Sequence, residues 1–224
     1  MNLNIDRLFQ DTRPRSLMAV VDHLVYAAPD LDAGMERLES ILGVRAIPGG
    51  RHPGYGTRNA LLALGPETYL EVLAPDPYGP EPERLRLFGI DRLAAPRLAA
   101  WVAKESDLEG RVEAADRRGV KLGEILSGGR ERPDGSVLAW RLTDPHAVLG
   151  EGILPFLIDW AKTESPARAA PKGCTLLGLR AEHPDPARIG AMLLALGVEL
   201  AVESGRAPAL IATIGTAQGE VELR

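Results

Sequence analysis

A weak internal repeat with a period near 77 residues constrains this chain more than any other feature. Three segments open on an apolar stretch, pass an acidic turn and run through an amphipathic stretch to Gly-Val. They are VVDHLVYAAPDLDAGMERLESILGV, RLAAWVAKESDLEGRVEAADRRGV and CTLLGLRAEHPDPARIGAMLLALGV. Their turn acids, Asp30, Asp107 and Asp185, stand 77 and 78 residues apart. A second landmark keeps step: GGRHPGYGT from Gly49, GGRERPDGS from Gly128 and a shortened SGRAPA from Ser204. Chance rarely holds two landmarks in register over three copies, so one unit is repeated.

Each copy reads as strand, helix, then strands. The turn acids suit N-cap positions, where a short side-chain oxygen accepts from free backbone N–H groups. Leu31, Met35, Leu38 and Leu42 recur at helical spacing, as do Ile189, Leu193 and Leu196. Gly43, Gly119 and Gly197 sit where a helix ends in the left-handed region. Strand-like runs bounded by Gly and Pro follow each helix: ALLALG and TYLEVLA, VLAWRLT and ILPFLIDW, ALIATIG and EVELR. The period is too long for a solenoid and too short for separate domains. The fold class is therefore α+β, built from βαβββ modules. Residues 1–19 form an N-terminal arm, 20–163 a two-module domain with a cup-shaped mixed sheet, and 164–224 a third, βαβββ-like module. The third module's apolar face needs cover from the pair or from a partner chain, and a homodimer is expected.

Composition removes several function classes. Lys and Arg number 26 against 31 Asp and Glu, giving a net charge of −5, and no basic stripe points to nucleic acid. No apolar run reaches the roughly 18 residues of a membrane span, and the N-terminal stretch lacks a signal-peptide pattern. A cytoplasmic location is expected. The single cysteine, Cys174, allows neither an internal disulfide nor a Cys-based zinc site. There is no nucleophile elbow, Walker loop or HExxH helix, and GYGTRN is not followed by a helix pattern, so no nucleotide cofactor is expected.

DHLVYAAPDLD, GGRHPGYGTRNALLALG and TYLEVLAPDP together resemble the glyoxalase-like branch of the vicinal oxygen chelate superfamily. That superfamily includes glyoxalase I, extradiol dioxygenases, methylmalonyl-CoA epimerase and metal-free drug-binding proteins. The resemblance is strongest over residues 20–77, continues to about 160 and thins beyond. It implies two modules curled into one cup, with a divalent metal (Zn, Mn, Fe, Co or Ni) held by the first and last strands of each module. Carried over, the module-one ligands are His23 and Glu71. The ion would chelate two adjacent substrate oxygens and stabilise the oxyanion formed as a proton moves.

Module two departs from this pattern. Seven residues before the turn, where Asp30 leads back to His23, Asp107 leads back to Ala100, which cannot ligate. The last strand offers Asp159 or, on an equal alignment, Leu157. His52 in the glycine-rich loop is a third candidate ligand if that loop folds over the mouth. With His23 and Glu71 it would make a two-His, one-carboxylate set. The same loop brings Arg51 and Arg58, with Thr57 and Asn59, toward an anionic substrate. Arg130 and Arg132 match them in copy two, and Trp140 and Trp160 supply an aromatic wall. His146 and His183 read as loop and turn residues. The expectation is a small-molecule enzyme of lyase, isomerase or dioxygenase type, with Glu71 and His52 acting on an oxygenated substrate. The alternative is a metal-free small-molecule binding protein of the same fold. On an alternating strand His23, Val25 and Ala27 share the inward face, and Asp22, Leu24 and Tyr26 the other.

Overall fold

The computed structural model describes residues 21–131 and 137–224; the expected N-terminal arm, residues 1–19, and Arg132 lie outside the described residues. The described chain runs three times through strand, helix and three strands. The first pass is β1 (Val21–Ala27), α1 (Leu31–Leu42), β2 (Ile47–His52), β3 (Thr57–Ala63) and β4 (Tyr69–Pro75). The second is β5 (Arg97–Lys104), α2 (Leu108–Asp116), β6 (Ile125–Glu131), β7 (Val137–Thr143) and β8 (Phe156–Asp159). The third is β9 (Thr175–His183), α3 (Pro186–Leu196), β10 (Ala201–Ser204), β11 (Ala209–Thr216) and β12 (Gly219–Leu223).

The repeat landmarks have local causes. Asp30, Asp107 and Asp185 accept from the backbone N–H groups of Ala33, Gly110 and Arg188, satisfying donors that no helical carbonyl can reach. Gly43 and Gly197 close α1 and α3 at φ 72° and 76°, where a side chain would be strained.

The eight strands of the first two passes make one sheet in the order β2-β3-β4-β1-β5-β8-β7-β6. Each half is the same pattern: β1 lies parallel to β4, and β5 parallel to β8. The halves join through the antiparallel pair β1–β5. The sheet curls until its edges, β2 and β6, meet. Strand alternation then gives each residue a side. Val25, Leu73, Ala100, Val102, Leu142 and Ile158 cluster on the concave face. Leu24, Leu62, Leu70, Val72, Trp101 and Leu157 cluster on the convex face with Leu38 and Leu42 of α1 and Leu108 of α2.

A second sheet, ordered β10-β9-β11-β12, covers the rest of that convex face. Its Leu179, Ala181, Leu210 and Ile214, with Ile189 and Leu193 of α3, belong to the same buried cluster. Two backbone hydrogen bonds fasten it, Leu98 N–H to the Arg224 carbonyl at 2.8 Å and Leu176 N–H to the Leu64 carbonyl at 2.9 Å. The apolar face that argued for a homodimer is thus covered from within the chain.

A polar staple holds the rim of the first sheet. Asp76, just after β4, is buried and accepts from Arg51 Nε of β2 at 2.6 Å and from the backbone N–H of Tyr78 at 3.0 Å. The Arg51 guanidinium holds the Asp76 carboxyl below the usual carboxylate range. A carboxyl with a depressed folded-state pKa contributes stability that is complete above its unfolded value and is lost as pH falls through the folded one. Chemical denaturation should therefore show a loss of stability below about pH 4 that Asp76→Asn flattens. Leu24, with no exposed surface, sits at the centre of the convex core. Leu24→Ala should cost roughly 2–5 kcal/mol by urea titration with an unchanged slope. The same truncation at exposed Leu194 should stay within about 0.5 kcal/mol.

Candidate functional site

The concave face holds a small cavity of about 90 Å³ whose walls are mostly apolar and aromatic. Its polar groups come from neighbouring strands of module one. On β1 and β4 the register sets Val25 opposite Glu71 and His23 opposite Tyr69, so His23 and Glu71 point to the same side. His23 Nε2 lies 3.8 Å from Glu71 Oε2. The His23 ring stacks on Tyr69 with centroids 4.5 Å apart and meets the Phe156 ring edge-on.

Each of the two groups is held from behind. His23 Nδ1 lies 2.7 Å from Asp22 Oδ1, and Trp160 Nε1 donates to Asp22 Oδ2 at 3.0 Å. Asp22 has no exposed surface. A buried carboxylate is costly unless donors surround it, so it accepts a hydrogen bond from Nδ1–H and leaves the Nε2 lone pair facing the cavity. Alternation placed Asp22 on the far side with Leu24. The β1–β5 ladder is irregular between Val21 and His23, and the carboxylate turns to the His23 side. Glu71 Oε1 in turn accepts from Asn59 Nδ2 at 2.5 Å, while Asn59 Oδ1 is buried with no hydrogen-bond partner among the described residues.

The glycine pairs of the repeat make room for these side chains. A Cβ on Gly49 would stand 2.4 Å from Asn59 Oδ1, and one on Gly128 would stand 2.4 Å from Trp140 Nε1. Both glycines let a side chain from the adjacent strand lie flat across the backbone into the cup.

The remaining expected residues divide by face. Trp140 lines the cavity. His52 also lines it, but from the end of β2 and not from a mobile mouth loop: GGRH continues the strand. Its Nδ1 lies 3.2 Å from the Thr57 hydroxyl, and its ring meets Trp140 edge-on. Arg51 and Arg58 are paired across β2 and β3 and therefore share one face, opposite to His52, Thr57 and Asn59. Arg51 is taken by Asp76, and Arg58 points toward Asp30 and Asp32 at 3.9 and 3.7 Å. The expectation that these arginines serve the cup is corrected: among the described residues no Arg or Lys lines it.

Asp159 is corrected for the same reason. Phe156 and Ile158 of β8 line the cavity, Leu157 and Asp159 alternate to the other side, and Asp159 accepts from the Ala161 N–H. Ala100 stands on the concave face opposite Val25 and contributes no donor. His183, expected in a turn, ends β9 and is buried against Glu151. His146 is tied to Asp144 and to the Leu85 carbonyl.

A metal in this cup would meet His23 Nε2 and Glu71 Oε2, and little else. Among the described residues no three His, Cys, Asp or Glu side chains converge on one point. Catalytic zinc centres use three protein ligands, and among the described residues the expected set of His23, Glu71 and His52 does not close such a shell. The residues that sequence reasoning missed are Asp22, Tyr55 and Tyr69. A carboxylate adjacent to a histidine inside an apolar strand was the available signal for Asp22. Tyr55 sits in the cavity wall, where burial pushes its phenol above the usual range and keeps it a proton donor.

With this geometry in view, the chain can be set beside known proteins. The glyoxalase-like domain matches residues 21–197, which takes in the whole cup together with β9 and α3. No curated protein matches the sequence. A hypothetical protein from Staphylococcus aureus is similar in structure, with a TM-score of 0.67 and 16% identity over 89% of this chain and 92% of that one. Methylmalonyl-CoA epimerase from Mycobacterium tuberculosis aligns over 64% of this chain and 89% of its own, with a TM-score of 0.41 and 21% identity. The first likeness extends the shared fold through the second sheet. The family match covers the cup and most of what supports it, and on that ground the chain belongs to the glyoxalase-like domain family.

Proposed function

We propose that the cup is the active site of a small-molecule enzyme that moves a proton on an oxygenated substrate, an isomerase or lyase in type. One observation carries this reading. Two proton acceptors, Glu71 Oε2 and His23 Nε2, face each other 3.8 Å apart in a mostly apolar cavity, each fixed from behind. They are too far apart to bond to one another and close enough to act on adjacent atoms of one ligand.

An α-hydroxycarbonyl group fits that spacing. Glu71 takes the proton from the carbon beside the carbonyl, and the electron pair moves onto the carbonyl oxygen. His23 Nε2 accepts the hydrogen bond of the neighbouring hydroxyl, with Asp22 and Trp160 holding the ring in one tautomer. The Tyr55 phenol, kept protonated by burial, donates to the oxygen on which charge develops. Glu71 then returns its proton to the former carbonyl carbon, while His23 Nε2 takes the hydroxyl proton and delivers it to the former carbonyl oxygen, which completes an isomerisation. No step requires a cation inside the cup.

Proton NMR in D₂O on a panel of α-hydroxyaldehydes and α-hydroxyketones tests this. The wild-type chain should exchange the α-hydrogen of at least one member, and Glu71→Gln should slow that exchange by roughly 10²–10⁴-fold. Tyr55→Phe should slow it less, by about tenfold. Exchange that survives Glu71→Gln unchanged would overturn the assignment of the base.

The apolar walls and Ala100 favour a second reading, a metal-free binding protein. Its signature is binding of such compounds, seen as quenching of Trp140 and Trp160 fluorescence, with no exchange in any variant.

A further inference from the structure

The cup is too small for most metabolites. About 90 Å³ admits a few water-sized groups, enough for a two- or three-carbon head. Beside it lies a groove of about 360 Å³, and the two share Leu87, Phe88, Pro145 and Phe156 as a common wall. Phe88 stacks on Phe156 with centroids 6.4 Å apart at that junction. Its φ of 60° is a costly conformation for an aromatic residue, and such conformations gather where ligands are held.

The chemistry of the groove differs from that of the cup. Leu85 and Val148, 81% and 63% exposed, are among the most exposed large apolar side chains of the described residues, and both line it. The acids on its lining are already neutralised: Asp91 pairs with Arg86 at 2.9 Å and Glu151 with Arg188 at 2.7 Å. Arg92 and Arg97 line it without an ion pair among the described residues; Arg97 donates only to the Phe88 carbonyl, at 3.3 Å. An apolar floor with two unneutralised guanidinium groups selects a ligand that is apolar along its length and negatively charged at one group.

We propose that this groove is a second binding subsite, which takes an amphipathic anion: the chain and the carboxylate or phosphate of an elongated substrate whose oxygenated head lies in the cup. The link to the head rests on the proton-transfer reading of the cup, whereas anion binding in the groove does not.

Isothermal titration calorimetry of the full chain with decanoate, decyl phosphate and decanol tests it. Both anions, or one of them, should bind more tightly than decanol, and the tighter anion names the terminal group. The double variant Arg92→Gln with Arg97→Gln should weaken that anion by roughly tenfold. Val148→Asp, a change at an exposed position that leaves the core intact, should weaken it as well. Glu71→Gln should leave the affinity unchanged, so a failure of the cup chemistry reads out separately from a failure of the groove. Decanol binding as tightly as both anions, affinity untouched by the arginine and Val148 changes, or loss of binding in Glu71→Gln alone would each overturn the proposal.

Discussion

A carboxylate with no exposed surface lies at the centre of this protein, and its need for donors organises the site around it. Asp22 receives the Nδ1 side of His23 and the indole N–H of Trp160, a residue 138 positions away. The Trp160 contact joins the first strand of module one to the end of module two. The two contacts also decide the state of the imidazole. With Nδ1 committed to a buried anion, only Nε2 is left to face the ligand space, and Glu71 is held opposite by Asn59. Strand geometry alone would have sent Asp22 into the convex core, where no donor waits. The irregular ladder at Val21–His23 is the local distortion that accompanies its turn to the other side.

Around that centre the architecture follows from layers. A curled sheet has two apolar faces, and here only one is buried against helices, because the other lines the cup. Here α1 and α2 cover part of the convex face, and the second sheet with α3 fills the remainder. The third pass of the repeat is therefore used as a lid on the outside of the cup and not as a third wall of it. This explains why its glycine landmark is shortened. SGRAPA runs from the end of β10 to the start of β11, and none of its residues lines the cup.

The cup and the groove differ in the side chains that line them. His23 and Glu71 lie in the small cavity, and among the described residues no Arg or Lys lines it. The groove is built from segments that approach only through the fold: His146 reaches the Leu85 carbonyl 61 positions away, and the loop at Glu151 is held by His183 and Arg188 from the third pass. The outer sheet thus steadies one wall of the groove as well as covering the core.

The sequence by itself determined the repeat, the helix caps at Asp30, Asp107 and Asp185, the left-handed stops at Gly43 and Gly197, and the approach of His23 to Glu71. These depend on backbone hydrogen bonding and side-chain periodicity within a few residues, or on a strand pairing that the family resemblance already implied. The faces of Arg51, Arg58 and Asp159 were not legible, because a period of two says which residues share a side but not which side turns inward. That choice waits for the register of β2 on β3 and of β8 on β7. The turn of Asp22 toward Trp160 and the joining of cup to groove were likewise decided only by tertiary structure. Both require chain segments distant in sequence to meet before the energy of the contact exists.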